Sequence, residues 1–192
     1  KEFSIDSRSG SEDSIFVPII GERVDAHKFI DGALKINGAT FTSEHDEPLE
    51  GFENKPWIKV ADTVEAMQKV GTFYRNRMNL PVVAVTGSVG KTSTKEVIAS
   101  VLNQKYHTLK TQGNFNNELG LPLTVFRLRD GDEIAVLEMG ISDFGEMTRL
   151  AQIARPDTCV ITNIGTCHLE NLGDRNGVLK AKTEIFKFLR PE

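Results

Sequence analysis

The spacing of apolar residues changes near residue 80, and this change divides the chain into two segments. Before residue 80, short apolar runs predict strands at Ser14–Ile20 and Trp57–Val60. The stretch His27–Asn37 carries apolar residues at helical spacing, which predicts a helix. Asp62 with Glu65 three positions later has the form of a capping box and predicts the start of another helix. We therefore expect residues 1–79 to form a small mixed α/β domain.

From about Leu80, apolar strands alternate with helices. The strands are predicted at Val82–Val85, Tyr106–Lys110, Ile134–Met139 and Thr158–Ile164. Helices are predicted around Val97–Leu102, after a cap formed by Asp143 and Glu146, and over Gly177–Leu189. Strands that are apolar throughout and alternate with helices are typical of a parallel sheet covered on both faces. We expect such a sheet in residues 80–192.

The composition indicates a globular protein and disfavours several classes of function. Of the 192 residues, 39% are hydrophobic and 26% are charged, and the formal net charge is −4. An acidic chain of this kind is not expected to bind nucleic acid through a diffuse basic surface. The longest apolar runs are too short for a membrane span, and the start Lys-Glu-Phe-Ser does not predict a signal peptide. Cys159 and Cys167 lack metal-site spacing, which favours free thiols in a reducing cytoplasm.

A glycine-rich turn lies between the strand Val82–Val85 and the helix that follows it. Its sequence, Thr-Gly-Ser-Val-Gly-Lys-Thr-Ser-Thr, predicts a loop whose backbone N–H groups surround phosphate. The Lys91 ammonium would reach the β- and γ-phosphates, and the Thr92 hydroxyl would ligate Mg²⁺. The longer Gly-x-x-x-x-Gly-Lys-Thr pattern is not met, because Val85 stands at its first glycine. The candidate nucleotide-binding residues are Gly87, Ser88, Val89, Gly90, Lys91, Thr92 and Ser93; the alternative is a glycine turn with an exposed lysine.

Three candidate residues fall at the carboxyl ends of predicted strands, where open parallel sheets bind ligands. Thr92 follows the first strand, Glu138 ends the second clear strand, and His168 follows the third. A hydroxyl and a carboxylate suit Mg²⁺, so this set predicts a metal site. The alternatives are a solvated strand end for Glu138 and a surface histidine. Asn116 and Asn117, in a loop rich in amides, offer uncharged contacts to phosphate or a polar substrate, unless they belong to an ordinary turn.

Taken in order along the chain, these strings resemble the Mur ligases, the ATP-dependent amide-forming enzymes of peptidoglycan synthesis. SIDSR and IFVPIIGERVDAHKFIDGALKINGA resemble the amino-terminal domain that holds the UDP-sugar. TGSVGKTSTKE, GNFNNELGLPLT, VLEMG, TNIGTCHLENLG and AKTEIF resemble the central ATPase domain. Asp25-Ala26-His27 stands where the family usually has Asp-Gly-His. Several strings are most similar to the branch of the family that adds D-alanyl-D-alanine.

The resemblance implies a role for each candidate residue. Lys91 and Thr92 would bind the ATP phosphates and Mg²⁺, and Glu138 and His168 would be metal ligands. Lys182 matches the lysine that many members carry as a carbamate near a second Mg²⁺; without the family it is a solvated helix lysine. Asn116 and Asn117 would lie near the γ-phosphate and the acyl group, and Ser7 and Arg8 would touch the UDP-sugar. The implied catalytic residues are Lys91, Asn116, His168 and Lys182; Asn117 joins the nucleotide contacts, and Ser7 and Arg8 bind substrate.

The resemblance also implies an activity and partners. The expected reaction adds D-alanyl-D-alanine to UDP-N-acetylmuramoyl-tripeptide through an acyl phosphate, with ATP and Mg²⁺, in a cytoplasmic monomer that binds no nucleic acid and does not insert into membranes. Mur ligases carry a third domain beyond the point where the resemblance ends. We therefore expect the chain to be part of a longer protein and to have little ligase activity alone. The alternatives are another Mur-type or folylpolyglutamate-type ligase, or a non-catalytic nucleotide-binding module.

Overall fold

The computed structural model describes residues 2–190, whose contacts divide the chain into two compact units. The first unit extends to Val70, and the second begins at Gly71. The sequence pattern predicts a boundary near residue 80, whereas this division falls inside helix α2 (Thr63–Arg77). In the described range, no helix is both long and apolar enough to cross a membrane.

The first unit is built on a four-stranded parallel sheet. Its strands follow the chain order β1 (Glu2–Ser4), β2 (Ser14–Phe16), β3 (Ala39–Thr42) and β4 (Trp57–Lys59). A 3-10 turn (Ala26–Phe29) leads into helix α1 (Ile30–Leu34), which packs on the sheet against Phe16. Strand β2 ends before the predicted Ile20 because Pro18 has no N–H with which to continue a ladder. The helix predicted over His27–Asn37 is likewise shorter and begins as the 3-10 turn.

The second unit contains another four-stranded parallel sheet, in the order β6 (Thr108–Lys110), β7 (Ile134–Glu138), β5 (Val82–Thr86), β8 (Thr158–Ile161). Both of its faces are covered, as the sequence predicts. On one face, Val83 and Val85 of β5 belong to the cluster that includes Ala99 of helix α3 (Lys91–Leu102). On the other face, Val82 and Ala84 join a larger core. Alternate residues of one strand thus pack in opposite layers, which is the reason that the run is apolar throughout.

In the described part of the second unit, four helices follow α3. They are α4 (Gly120–Val125), α5 (Glu146–Ala154), α6 (Leu169–Leu172) and α7 (Arg175–Thr183), and a 3-10 turn (Glu184–Phe188) follows α7. The predicted helix Gly177–Leu189 therefore changes to 3-10 geometry after Thr183. The chain leaves β8 after Ile161, earlier than predicted, so Thr162 and Asn163 are loop residues.

The start of helix α5 differs from the predicted cap. Gly145, in the left-handed region at φ 81°, is the residue before the first helical position, so Asp143 lies too far upstream to cap it. Glu146 instead accepts the backbone N–H groups of Ser142 and Asp143, at 2.7 and 3.2 Å. The carboxylate that faces the helix N-terminus comes from Glu184, which accepts the Gly145 N–H at 3.1 Å.

Candidate active site

The carboxyl ends of the four parallel strands of the second unit meet at one edge of the sheet. The glycine turn leaves the end of β5, and Glu138, the last residue of β7, is paired with Val85 of β5. The loop after β8 places Thr162 and Asn163 beside the glycine turn. The sheet order therefore brings three of the predicted segments together, because β5 lies between β7 and β8.

The glycine turn has a backbone that only glycine adopts without strain at two positions. Gly87 has φ 147°, and a Cβ there would lie 1.9 Å from the Thr162 hydroxyl. Gly90 has φ 81° and forms the N-cap of helix α3. Glycine is required at Gly87 both for its dihedral angle and for the close approach of the neighbouring loop. The turn thus directs the chain into the N-terminus of α3, where Lys91 is the first residue.

The backbone of the turn is held by Asn163, which is not among the residues predicted from the sequence. Asn163 Oδ1 accepts the N–H groups of Ser88 and Val89 at 3.2 and 3.1 Å. The Lys91 ammonium donates to the carbonyl oxygens of Gly87 and Ser88 at 2.9 and 3.4 Å. Two of the N–H groups predicted for phosphate are therefore bonded to a side-chain carbonyl. The predicted residues Val89 and Ser93 are exposed.

Glu138 is a buried carboxylate whose two oxygens have different surroundings. The residue is 2% exposed. Its Oε1 accepts the Thr92 hydroxyl at 3.2 Å and the Asn116 amide at 2.8 Å. Its Oε2 has no hydrogen-bond partner and lies 3.6 Å from the Lys95 ammonium. The structure thus joins Thr92 and Glu138, two residues of the predicted metal set, with Asn116, which was predicted as a contact to phosphate or a polar substrate.

A hydroxyl beside an ionised carboxylate is a donor set that suits a hard divalent cation such as Mg²⁺. The Thr92 hydroxyl and Glu138 Oε1 lie 3.2 Å apart, so both oxygens could contact one ion. The residues present therefore fit a cation. His168 contributes less to this fit, since its side chain is 41% exposed and its Nδ1 lies 3.8 Å from Glu170.

A cavity of about 270 Å³ brings together the remaining predicted residues of the second unit. Its lining residues are Lys91, Asn116, Asn117, Gly140, Ile141, Ser142, Cys167, His168 and Lys182. Cys167 donates to the Ser88 hydroxyl at 3.2 Å, so the histidine loop also touches the glycine turn. Asn117 Oδ1 accepts the N–H groups of Leu119 and Gly120, which leaves its amide nitrogen as the group that can donate to a ligand.

Lys182 is buried although it carries an amine. It is 1% exposed and lies near the end of helix α7, with its side chain at the cavity. Burial lowers the pKa of Lys182, and the charge of Lys91 adds to that effect while Cys167 opposes it. The structure therefore favours the uncharged amine at this position more than a solvated helix surface would.

The first unit has its own cavity, of about 660 Å³, beside the predicted substrate residues. Asp6, Ser7, Arg8, Phe16 and Phe29 are among the residues that line it. Arg8 donates from Nε and Nη2 to the Asp6 carboxylate, both at 2.9 Å. This pairing lowers the pKa of Asp6 to about 2. The guanidinium of Arg8 remains open to ligand, because its side chain is 87% exposed.

Among the described residues, only Asp25, His27 and Glu44 form a group of three potential metal ligands by side-chain distance. His27 is buried, and its Nε2 accepts the backbone N–H of Ser43 at 3.0 Å. Its Nδ1 therefore carries the proton and donates to Asp25 at 2.7 Å. Both ring nitrogens have partners, so the cluster is explained by its hydrogen bonds without a metal.

Comparison with known proteins assigns the chain to a family. The Mur ligase middle domain matches residues 85–192, which is more than half of the chain. The chain therefore belongs to the Mur ligase family, as its motifs predict. Over 97% of its length it is 43% identical to UDP-N-acetylmuramoyl-tripeptide--D-alanyl-D-alanine ligase of Bacillus subtilis, and over 96% it is 40% identical to the Escherichia coli protein of that name.

Solved structures agree with this assignment. MurF of Acinetobacter baumannii superposes with a TM-score of 0.91 at 36% identity and covers 100% of the chain. MurF ligase of Thermotoga maritima, solved in complex with ADP, gives a TM-score of 0.89 at 36% identity over 99% of the chain. The chain spans 41% of the Bacillus relative and 42% and 44% of these two solved chains.

Proposed function

We propose that this chain supplies the UDP-sugar site and much of the ATP site of a ligase that adds D-alanyl-D-alanine to UDP-N-acetylmuramoyl-tripeptide. The observation that carries this proposal is the cluster at the carboxyl edge of the second sheet, where the glycine turn, Thr92, Asn116 and buried Glu138 meet. The names of its relatives, at about 40% identity, support the same reaction. The protein is then an ATP-dependent acid–D-amino-acid ligase, and we expect it to work as a cytoplasmic monomer.

The nucleotide site is formed by the glycine turn and the N-terminus of α3. Backbone N–H groups and the positive end of a helix dipole attract phosphate. Lys91 lies across the turn and can exchange its carbonyl contacts for phosphate oxygens. Phosphate oxygens would likewise replace Asn163 Oδ1 at the N–H groups of Ser88 and Val89. Nucleotide binding would therefore replace protein oxygens by phosphate oxygens as the hydrogen-bond acceptors, and the backbone of the turn would not need to change its conformation.

The residues proposed to hold Mg²⁺ are Thr92, Glu138 and His168. The bound cation would neutralise charge on the phosphates during phosphoryl transfer. Within this set, Glu138 supplies the negative charge, and Thr92 is oriented by its hydrogen bond to Glu138. Asn116 donates to the same carboxylate oxygen, Oε1, and also lines the cavity, where its amide would approach the γ-phosphate.

The reaction proceeds by acyl activation. The terminal carboxylate of the tripeptide attacks the γ-phosphorus of ATP, which forms an acyl phosphate and releases ADP. The amino group of D-alanyl-D-alanine then attacks the acyl carbon, loses a proton and releases phosphate. Catalysis depends mainly on positioning and on charge neutralisation by Lys91 and the loop N–H groups. Water must be excluded, because it would hydrolyse the acyl phosphate.

Lys182 is proposed to act as a carbamate beside the second metal position. A carbamate forms from the uncharged amine and CO₂ with loss of one proton, which adds a negative charge where the amine was. The burial of Lys182 and its place at the cavity support this role, since a buried amine close to Lys91 is least costly when it is not a cation. Carbamylation would convert two facing lysines into an opposite-charge pair.

The first unit is proposed to bind the UDP-sugar at the cavity that Ser7 and Arg8 line. The exposed Arg8 guanidinium, oriented by Asp6, is a suitable donor for a diphosphate or a uracil carbonyl. The Ser7 hydroxyl adds a second polar contact on the same turn. Apolar Phe16 and Phe29 of that cavity would contact the sugar or base faces.

The proposal is tested on the complete gene product that contains this chain, by following ADP release. We expect ADP release only when UDP-N-acetylmuramoyl-tripeptide and D-alanyl-D-alanine are both present, and loss of that release in Lys91→Met. Lys105→Met is the matched control, because Lys105 is exposed and its ammonium lies over the Tyr106 ring. Release that depends on a single L-amino acid or on glutamate would assign another Mur-type or folylpolyglutamate-type ligase. Nucleotide binding with no amine-dependent phosphate release would assign a binding module.

A further inference from the structure

Lys95 is a buried ammonium that the proposed mechanism does not use. It is 1% exposed, and it lies in the first half of helix α3. Its Nζ is 3.1 Å from Glu96 Oε1 and 3.6 Å from Glu138 Oε2. Burial of a charged amine is costly unless opposite charges compensate it, so Lys95 is tied to these two carboxylates.

The helix places Lys95 on the same side as the proposed metal ligand Thr92. Residues three apart lie on one face of a helix, and Thr92 and Lys95 both approach Glu138. They approach different oxygens: the Thr92 hydroxyl lies at Oε1 and the Lys95 ammonium at Oε2. The two oxygens of one carboxylate are therefore divided between a proposed metal ligand and a fixed protein cation.

We propose that Lys95 makes the site selective for Mg²⁺ over Ca²⁺ by preventing Glu138 from binding a cation with both oxygens. This inference rests on the proposed function, since it concerns the same cation. Mg²⁺ takes single carboxylate oxygens in a tight octahedral shell, whereas Ca²⁺ takes more ligands and often binds carboxylates through both oxygens. The ammonium at Oε2 leaves only Oε1 for the cation. Lys95 is thus a positioning and specificity residue.

A binding experiment on the complete gene product tests this role without a measurement of turnover. ADP affinity is measured by isothermal titration with Mg²⁺ and, separately, with Ca²⁺. In wild type we expect Mg²⁺ to support tighter ADP binding than Ca²⁺, and equal binding with the two cations would overturn the inference. In Lys95→Met we expect the Mg²⁺-to-Ca²⁺ affinity ratio to fall by about tenfold, which is the scale at which groups that orient metal ligands act. Lys95→Arg keeps the charge and should keep the wild-type ratio.

Lys105→Met is the matched control and should bind ADP as wild type does with either cation. If circular dichroism shows that Lys95→Met does not fold, Lys95→Gln replaces it, because glutamine lacks the charge but can still donate to Glu96. A wild-type ratio in a folded neutral variant overturns the inference and leaves the proposed function intact. Wild-type protein whose ADP affinity is unaffected by either cation overturns the proposed metal site and this inference with it.

Discussion

Replacement of Glu184 tests whether a carboxylate from outside helix α5 holds the start of that helix. Glu184 accepts the N–H groups of Gly145 and Thr148, at 3.1 and 3.2 Å, and the Thr148 hydroxyl at 2.7 Å. Its side chain is only 12% exposed, so water replaces these contacts poorly. Glu184→Ala removes all of them, and Glu184→Gln keeps an oxygen acceptor but removes the charge.

The expected loss of stability has two parts. Loss of a side-chain acceptor at a helix N-terminus costs about 1 kcal/mol. Loss of a negative charge at the positive end of a partly buried helix costs about 1 kcal/mol more. Glu184→Ala should therefore lower the free energy of unfolding by about 2 kcal/mol, and Glu184→Gln by about 1 kcal/mol.

Urea unfolding followed by far-ultraviolet circular dichroism measures both losses. Glu170→Ala is the control, because Glu170 is 72% exposed and its removal should change stability by less than about 0.5 kcal/mol. If Glu184→Ala unfolds at the wild-type urea concentration, the carboxylate does not stabilise α5 and the reasoning fails. Equal losses in the alanine and glutamine variants would show that charge alone, and not the acceptor, makes the contribution.

Three further changes have defined outcomes. Gly87→Ala should lower the free energy of unfolding by about 2 kcal/mol, measured by thermal unfolding, because the dihedral angle of Gly87 and the adjacent Thr162 hydroxyl exclude a side chain. Gly131→Ala is the control and should not lower it, because the space around the Gly131 Cβ position is open. Asn163→Ala should speed hydrogen exchange at the Val89 N–H, measured by NMR, whereas the Ser88 N–H keeps the backbone carbonyl of residue 163 as an acceptor at 3.2 Å; unchanged exchange at Val89 would contradict the contact. The pKa of Asp25 lies below its usual 3.8, because the backbone N–H and the side chain of His27 donate to its carboxylate. The ionised carboxylate therefore stabilises the folded state fully above pH 3.8, and this contribution is lost as the pH falls through the pKa of the folded state. The wild type should then lose more stability than Asp25→Asn between about pH 5 and pH 2, in urea titrations at each pH.

The parts of the site that the sequence predicted are those in which neighbours along the chain determine the geometry. The glycine turn follows a buried strand and precedes a helix, so its place at the sheet edge follows from local pattern. Glu138 ends an apolar strand, and the parallel order then brings it to Thr92. The roles of these residues in binding remain predictions.

Contacts between distant segments were not predicted. Asn163 reaches the glycine turn from the loop after another strand, and Glu184 caps a helix that ends thirty residues before it. The position of Asn163 in the sequence could have identified it, since it follows the end of a strand as His168 does. Lys95 could have been identified in the same way, because it stands one helical turn after Thr92. Strand β3 is not predicted from the sequence, because it has only four residues and its two threonines are fully buried, although threonine is a residue type that is mostly exposed.

Arg75, in the last turns of α2, determines where the second unit can be cut from the chain. Its guanidinium donates to the carbonyl oxygens of Ala154, Met78 and Leu80, and the residue is 2% exposed. A recombinant fragment that started at Leu80 would lack this donor, so the Ala154 carbonyl would lose its contact with Arg75, and the Leu80 carbonyl would keep only the one from Arg190 at 3.2 Å. Expression of the unit on its own should therefore begin upstream of Gly71, with a complete α2 helix.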